Sequence, residues 1–235
     1  MSDNTAVNFY KVLPKKFLKT PKNPHYDKHK IKLPFIMIIA GSTGAMKTNT
    51  MLNILYNMPS TFTKIVVITR NKDEPLYNYL KEQIPECEIF EGLNNIPDLD
   101  KDFKKDVNNL VIFDDLVMEK NQRKIEEYSI RCRKMGISMC YLTQNWFATP
   151  NTIRKNINYL ILKKIPKQDD LNRVMRDYSL GIDKETMLSL YKYATKGEDS
   201  TDKTNFFLID LNEDDDSELK FRRNFKGIKF AYESD

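Results

Sequence analysis

The chain has 235 residues, 40% hydrophobic and 11% aromatic, enough for one large α/β domain with small additions, and its 30% charged residues suit a soluble protein. No apolar run reaches the ~18 residues that span a bilayer, and the polar N-terminus lacks a signal-peptide core, so no membrane span is expected. Three cysteines, Cys87, Cys132 and Cys140, are too few and too scattered for a disulfide framework or a zinc site, which fits a reducing compartment.

Charge is unevenly placed. The formal net charge is +5, yet residues 1–33 hold eight lysines against Asp3 and Asp27, a surplus of six that leaves the rest near −1. With Pro14, Pro21 and Pro24 and few periodic apolar residues, this segment reads as an extended basic arm. Such an arm either meets an anionic partner such as nucleic acid or is a solvated tail. His25 and His29 lie four apart, a spacing that suits two metal ligands on one helix face. Pro24 opposes a helix and no third ligand is near, so no metal site is expected there.

The organising stretch runs from Phe35 to Met58. Phe35 to Ile39 reads as a short buried strand, Gly41-Ser42-Thr43-Gly44-Ala45 as a tight turn, and Lys47-Thr48 as the start of a helix. Met51, Leu52 and Leu55 repeat at helical spacing, and Pro59 stops the run. Strand, glycine-rich turn, Lys-Thr and helix is the order of a phosphate-binding loop. Backbone N–H groups and the helix N-terminus face an anion, the lysine reaches the terminal phosphates and the threonine hydroxyl serves Mg²⁺. The pattern G-x-x-x-x-G-K-[ST] wants glycine before the lysine, and this chain has Met46. Its side chain has to lean away from the phosphates, or the loop has to shift.

Lys64 to Thr69 (KIVVIT) is a β-branched run typical of a central parallel strand. Asp73-Glu74-Pro75 starts a helix to about Gln83, and Cys87 to Phe90 is a candidate edge strand. Leu110 to Phe113 is the next buried strand and ends in Asp114-Asp115. Acids there suit a Walker B element, in which Asp114 holds Mg²⁺ through its water shell and Asp115 orients the attacking water. Residues 120–135 read as an amphipathic helix capped by Gly136. Ile137 to Thr143 is a fourth strand ending in Gln144, whose amide either senses the γ-phosphate or caps a loop. Trp146 and Phe147 read as core or interface. Thr149-Pro150 is an N-cap and first-turn pair for a short helix carrying Arg154. Tyr159 to Leu162 is a fifth strand, two helices near 168–178 and 183–195 follow around Gly181, and a hairpin joins 205–211 to 219–225. The alternating Phe221-Arg222-Arg223-Asn224-Phe225 reads either as a nucleic-acid contact or as an exposed edge. Together these elements indicate a doubly wound, mainly parallel α/β sheet flanked by helices, the P-loop NTPase class. Residues 1–33 would be the arm and 34–235 the P-loop domain, with a core at 35–164 and a helical and β-hairpin part at 165–235.

GSTGAMKT, VIFDD and YLTQNWFATPNTIRKNINYLILKK, in this order and spacing, resemble the FtsK–HerA branch of P-loop ATPases. More closely they resemble the genome-packaging ATPases of poxviruses, other large DNA viruses and virophages. The likeness runs from Ile36 to Lys164, with a weaker one in FRRNF. It implies an ATP-hydrolysing motor that moves double-stranded DNA into a capsid, acting as a homo-oligomeric ring with a capsid or portal-vertex protein, in the host-cell cytoplasm (virus factory) or the virion. Carried over, Gly41, Ser42, Thr43, Gly44, Ala45, Met46, Lys47 and Thr48 cradle ATP, Thr48 and Asp114 serve Mg²⁺, Asp115 polarises water and Gln144 is the sensor. Such rings use a neighbour's arginine, for which Arg131, Arg133 and Arg154 are candidates. Met46 departs from the pattern, as does Asp115 where FtsK-type motors usually carry Glu. A non-catalytic P-loop scaffold in particle assembly is the alternative.

Overall fold

Strands buried on both faces need apolar residues at every position, and the uninterrupted runs of this chain meet that demand. In chain order the elements are α1 (Phe9–Val12), α2 (Tyr26–His29), β1 (Ile36–Ala40), α3 (Lys47–Asn57), β2 (Lys64–Thr69), α4 (Pro75–Gln83), β3 (Cys87–Glu91), β4 (Asn109–Asp114) and α5 (Arg123–Arg131). They continue with β5 (Ile137–Thr143), α6 (Asn151–Asn156), β6 (Tyr159–Leu162), α7 (Gln168–Asp177), α8 (Lys184–Thr195), β7 (Phe207–Asp210), β8 (Phe221–Arg223) and β9 (Lys226–Gly227). This is a computed structural model, and it describes residues 6–14, 21–178, 182–199 and 201–229.

Among the described residues nine strands form one sheet in the order β3-β2-β4-β5-β1-β6-β7-β8-β9. From β3 to β6 all pairs are parallel, and β7, β8 and β9 add an antiparallel edge. Alternation along the strands divides the core between two faces. Ile36, Ile38, Val66, Val111 and Phe113 meet α5, α6, α7 and α8 through Ile125, Ile153, Val174 and Leu190. Met37, Ile39, Val67 and Ile112 meet α3 and α4 through Met51, Ile54, Tyr77 and Leu80. Helices on both faces make the sheet doubly wound, as its sequence pattern indicates. The β1–α3–β2 connection and the β5–α6–β6 connection leave on opposite faces. That places a crevice at the C-terminal ends of β1, β5 and β4, where such sheets hold ligands.

Several local expectations change. The helix expected over 120–135 is α5 followed by a 3₁₀ turn, Cys132–Met135, which ends at Gly136 with φ +73°. Thr149 does not cap α6, because its buried hydroxyl is taken by Thr143 Oγ1 at 3.0 Å and the Asn145 carbonyl at 3.1 Å; Pro150 stands at the cap position. Gly181 lies outside the described residues. Residues 21–33, read from sequence as part of an extended arm, pack against the body. His29 and Ile31 are fully buried, Asn108 donates to the Lys22 carbonyl at 2.7 Å, and Lys32 N–H donates to the Tyr159 hydroxyl at 2.8 Å. Burial lowers the His29 pKa, and its Nδ1 accepts the Ile31 N–H at 3.0 Å, a structural role.

Within the basic and aromatic alternation at 221–225, Arg222 is turned into the core and not out to an exposed edge. Arg222 and Asp210 are both 0% exposed and form an ion pair. Arg222 also donates to the carbonyls of Leu219 (2.8 Å), Lys30 (2.9 Å) and His29 (3.3 Å). Arg223 lies over the Tyr193 ring and donates to the Lys196 carbonyl at 3.0 Å. The pattern is amphipathic, but two of its inward partners, His29 and Lys30, come from the segment before β1, which local periodicity does not register.

Candidate nucleotide site

The loop from Gly41 to Met46 leaves β1 at the sheet centre and turns directly into α3. A Cβ at Gly41 would sit 2.6 Å from Lys163 Cβ, so a larger residue is excluded, and Gly44 has φ +70°. Ser42 donates its hydroxyl to the Lys164 carbonyl at 3.2 Å, Ala45 is buried, and Ala45 N–H donates to the Ser42 carbonyl at 3.1 Å. Met46 has φ +61° and ψ +41°, the left-handed region that explains why the pattern wants glycine. Its side chain is 44% exposed, so it leans into solvent rather than into the loop.

Lys47 Nζ donates to the carbonyls of Gly41 and Ser42, each at 3.1 Å, and so lies inside the loop. Burial lowers its pKa, and Asp114, Asp115 and Glu74 oppose that. Asp114, at the end of β4, is only 6% exposed, and burial pushes its carboxyl up. Tyr77 donates its hydroxyl to Asp114 Oδ2 at 2.6 Å, and Asp114 is also within hydrogen-bonding reach of the Thr48 hydroxyl.

Strand β5 lies between β1 and β4, with Thr143 beside Ala40 and Leu142 beside Asp114. Gln144 therefore emerges between the loop and the acids. Thr43 Oγ1 donates to Gln144 Oε1 at 2.6 Å, and Gln144 Nε2 donates to Asp115 Oδ1 at 2.7 Å. Asp115 has φ +54°, a conformation that aspartate tolerates better than most residues. Asn145 sets the following turn, accepting Phe147 N–H at 3.0 Å and Ala148 N–H at 3.2 Å on its side chain. A cleft of about 460 Å³ opens beside the loop, bounded by Gly41, Ser42, Gln144, Phe147, Lys167 and Arg173.

The structure thus brings Thr43, Lys47, Thr48, Asp114, Asp115 and Gln144 together, and it does not bring the three arginines there. Arg131 is held by Asp100 at 2.6 Å and Glu127 at 2.5 Å. It and exposed Arg133 precede β5, roughly 20 Å from Gln144 along that strand. A helix joining two parallel strands carries the chain back to their N-terminal ends. Arg154 pairs with Asp177 at 2.8 Å and lies over the Trp146 ring, joining α6 to α7. Trp146 is itself buried and donates to Asp177 at 3.1 Å.

Three residues at the site escaped sequence reasoning. Glu74 and Tyr77 come from the first turn of α4, where Asp-Glu-Pro signals only a helix start. Lys163, 1% exposed, donates to the carbonyls of Lys203, Thr204 and Asn205 at 2.6, 2.9 and 2.9 Å, and burial lowers its pKa to about 8. It ties the 203–205 segment beside the loop, where Lys203 Nζ donates to the Gly44 carbonyl at 3.4 Å. A lysine ending an apolar strand was visible in the sequence; its burial was not.

A family model described as Poxvirus A32 protein matches residues 23–210. Among solved structures, the genome packaging NTPase B204 from Sulfolobus turreted icosahedral virus 2, in complex with AMPPCP, superposes with a TM-score of 0.53 at 13% identity. That match covers 76% of this chain and 93% of B204. The pCW3 conjugation coupling protein TcpA, in complex with ATPγS, gives 0.51 at 14% identity over 78% of this chain and 60% of that one. These likenesses show the fold. No match was found among curated proteins.

Proposed function

The chain belongs to the poxvirus A32 protein family, and from that premise we propose that it is an ATPase of viral genome packaging that hydrolyses ATP to move double-stranded DNA. The observation that supports this most is the relay Thr43–Gln144–Asp115, which links the phosphate loop to an acid beside Asp114. A loop that only stabilised a fold would have no use for a hydrogen-bonded path from phosphate cradle to acid. The B204 and TcpA structures hold ATP analogues, which agrees with ATP as the substrate.

In this reading the loop N–H groups that no backbone carbonyl among the described residues takes, those of Thr43, Gly44 and Met46, bind the β- and γ-phosphates together with the Lys47 ammonium. The fit is chemical: Lys47 is half-buried among carbonyls, and exchanging these for phosphate oxygens restores a full counter-charge. Thr48 and Asp114 are the residues that would hold Mg²⁺, which supplies charge neutralisation to the phosphates when bound. Asp115 orients the attacking water and accepts its proton. Gln144 keeps that carboxylate aligned and reports loop occupancy through Thr43.

Assembly as a homo-oligomeric ring, action on a capsid or portal-vertex partner, and residence in the virus factory or virion belong to the same proposal. Among the described residues no helix is long and apolar enough to cross a membrane. Of the three arginines, Arg131 and Arg154 are engaged in ion pairs, so Arg133 is the candidate carried forward as a neighbour's contribution. The test is ATP hydrolysis by the purified protein against protein concentration, with and without duplex DNA. Stimulation by DNA and a rise steeper than linear are expected. Nucleotide binding without hydrolysis under either condition would instead identify a scaffold.

A further inference from the structure

The first turn of α4 sits against the acids at the end of β4. Glu74 is the N-cap residue of α4, yet its side chain makes no capping bond. Its backbone carbonyl accepts from Tyr77 N–H at 2.9 Å and Asn78 N–H at 3.1 Å, which starts the helix and leaves the carboxylate free for another use. That carboxylate lies within hydrogen-bonding reach of the Thr48 hydroxyl and close enough to Asp114 to interact by charge. Tyr77, one turn on, is 1% exposed and directs its hydroxyl at Asp114 Oδ2. Pro75 at the first helical position fixes the approach of the turn.

From this geometry we propose that the α4 first turn is a working wall of the nucleotide site. In it Tyr77 is a positioning residue that orients the Asp114 carboxylate, and Glu74 is a second carboxylate for the water shell of the divalent cation that accompanies the nucleotide. The inference rests on the ATPase reading above. With Oδ2 occupied by the phenol, the Asp114 carboxylate plane is fixed and its remaining coordination is offered toward Thr48. A small hard cation keeps several waters and takes only one or two carboxylates, so two acids flanking one threonine suit it. Lys47, the neighbouring cation, is committed to the phosphate loop.

The experiment titrates Mn²⁺ into the full-length protein saturated with ATPγS and follows free Mn²⁺ by electron paramagnetic resonance. ATPγS affinity in EDTA is measured in parallel for Glu74→Gln, Tyr77→Phe and Asp114→Ala. Glu74→Gln and Tyr77→Phe are each expected to weaken Mn²⁺ binding by about tenfold, as loss of an outer-sphere partner does, with metal-free ATPγS affinity unchanged. A merely structural role would instead shift the metal-free affinity and leave the Mn²⁺ step alone. Wild-type Mn²⁺ affinity in either variant, with Asp114→Ala impaired, overturns the wall but leaves the ATPase reading standing. Wild-type Mn²⁺ affinity in Asp114→Ala as well overturns that reading too.

Discussion

Two aspartates end strands of the same sheet, both buried, and the molecule treats them differently. Asp210, closing β7, is matched by Arg222, and Arg222 spends its other N–H groups on three backbone carbonyls. Asn212 adds its N–H and its side-chain amide to Asp210 Oδ1, each at 3.0 Å. Asp114, closing β4, has one phenol as its side-chain donor, two further carboxylates nearby, and a lysine turned toward the phosphate loop. A buried charge with complete partners marks a structural joint; one with incomplete partners marks a site that something else must complete. Stability and function are drawn apart between the two ends of one sheet.

The largest expected effect breaks the site without touching the joint. Lys47→Ala should lower ATP hydrolysis by about 10²–10³-fold, the scale of losing one well-placed donor to transition-state charge, while leaving the thermal midpoint nearly unchanged. The converse is Asp210→Asn, which strands a fully buried guanidinium without counter-charge. Burial raises the Asp210 carboxyl and Arg222 opposes that, so the pair is useful only intact. Denaturant unfolding should show a loss of about 3–5 kcal/mol.

The same substitution at Asp114 should have the opposite sign. Burial holds its pKa above the ordinary carboxylate range, so the folded protein binds that proton more tightly than the unfolded chain does. This stabilisation is complete below the unfolded carboxylate pKa of about 3.9 and is lost as pH rises through the folded value. Asp114→Asn has no proton to lose. At pH 7 it should melt above wild type, and the advantage should shrink as pH falls toward the unfolded carboxylate range. The smallest effect is at Met46, where glycine relieves a left-handed backbone. Met46→Gly should raise the free energy of unfolding by ~1 kcal/mol in denaturant titration and leave ATP affinity near wild type, because the methionine already leans out of the loop; a changed affinity would mean that its side chain meets the phosphates.

Sequence carried the parallel core because β1, β2, β4, β5 and β6 are largely contiguous apolar runs, and because β4 and β5 run into polar residues at one end of the sheet. Asp114, Asp115 and Gln144 were visible for that reason. Glu74 and Tyr77 were not, since a carboxylate ahead of proline reads as a helix start and a tyrosine one turn later reads as core. Their meaning depends on β2 lying next to β4, a fact of strand order. The inward turn of Arg222 is not legible locally, because two of its partners, the His29 and Lys30 carbonyls, lie far away in the chain and its ion-pair partner Asp210 is on another strand. Arg131 and Arg133 stand a full strand away from Gln144, so within one chain they take no part in the site, and a role toward a neighbour's nucleotide is for the mixing of subunits to decide.

Completion of Asp114 by a nucleotide-borne cation is tested most directly by thermal unfolding with ATPγS in Mg²⁺ and in EDTA, for wild type and Asp114→Asn. Wild type should gain distinctly more stability with Mg²⁺ than with EDTA, and the variant should gain the same in both. An equal Mg²⁺-dependent increment in the two proteins would contradict a role for Asp114 in holding the cation.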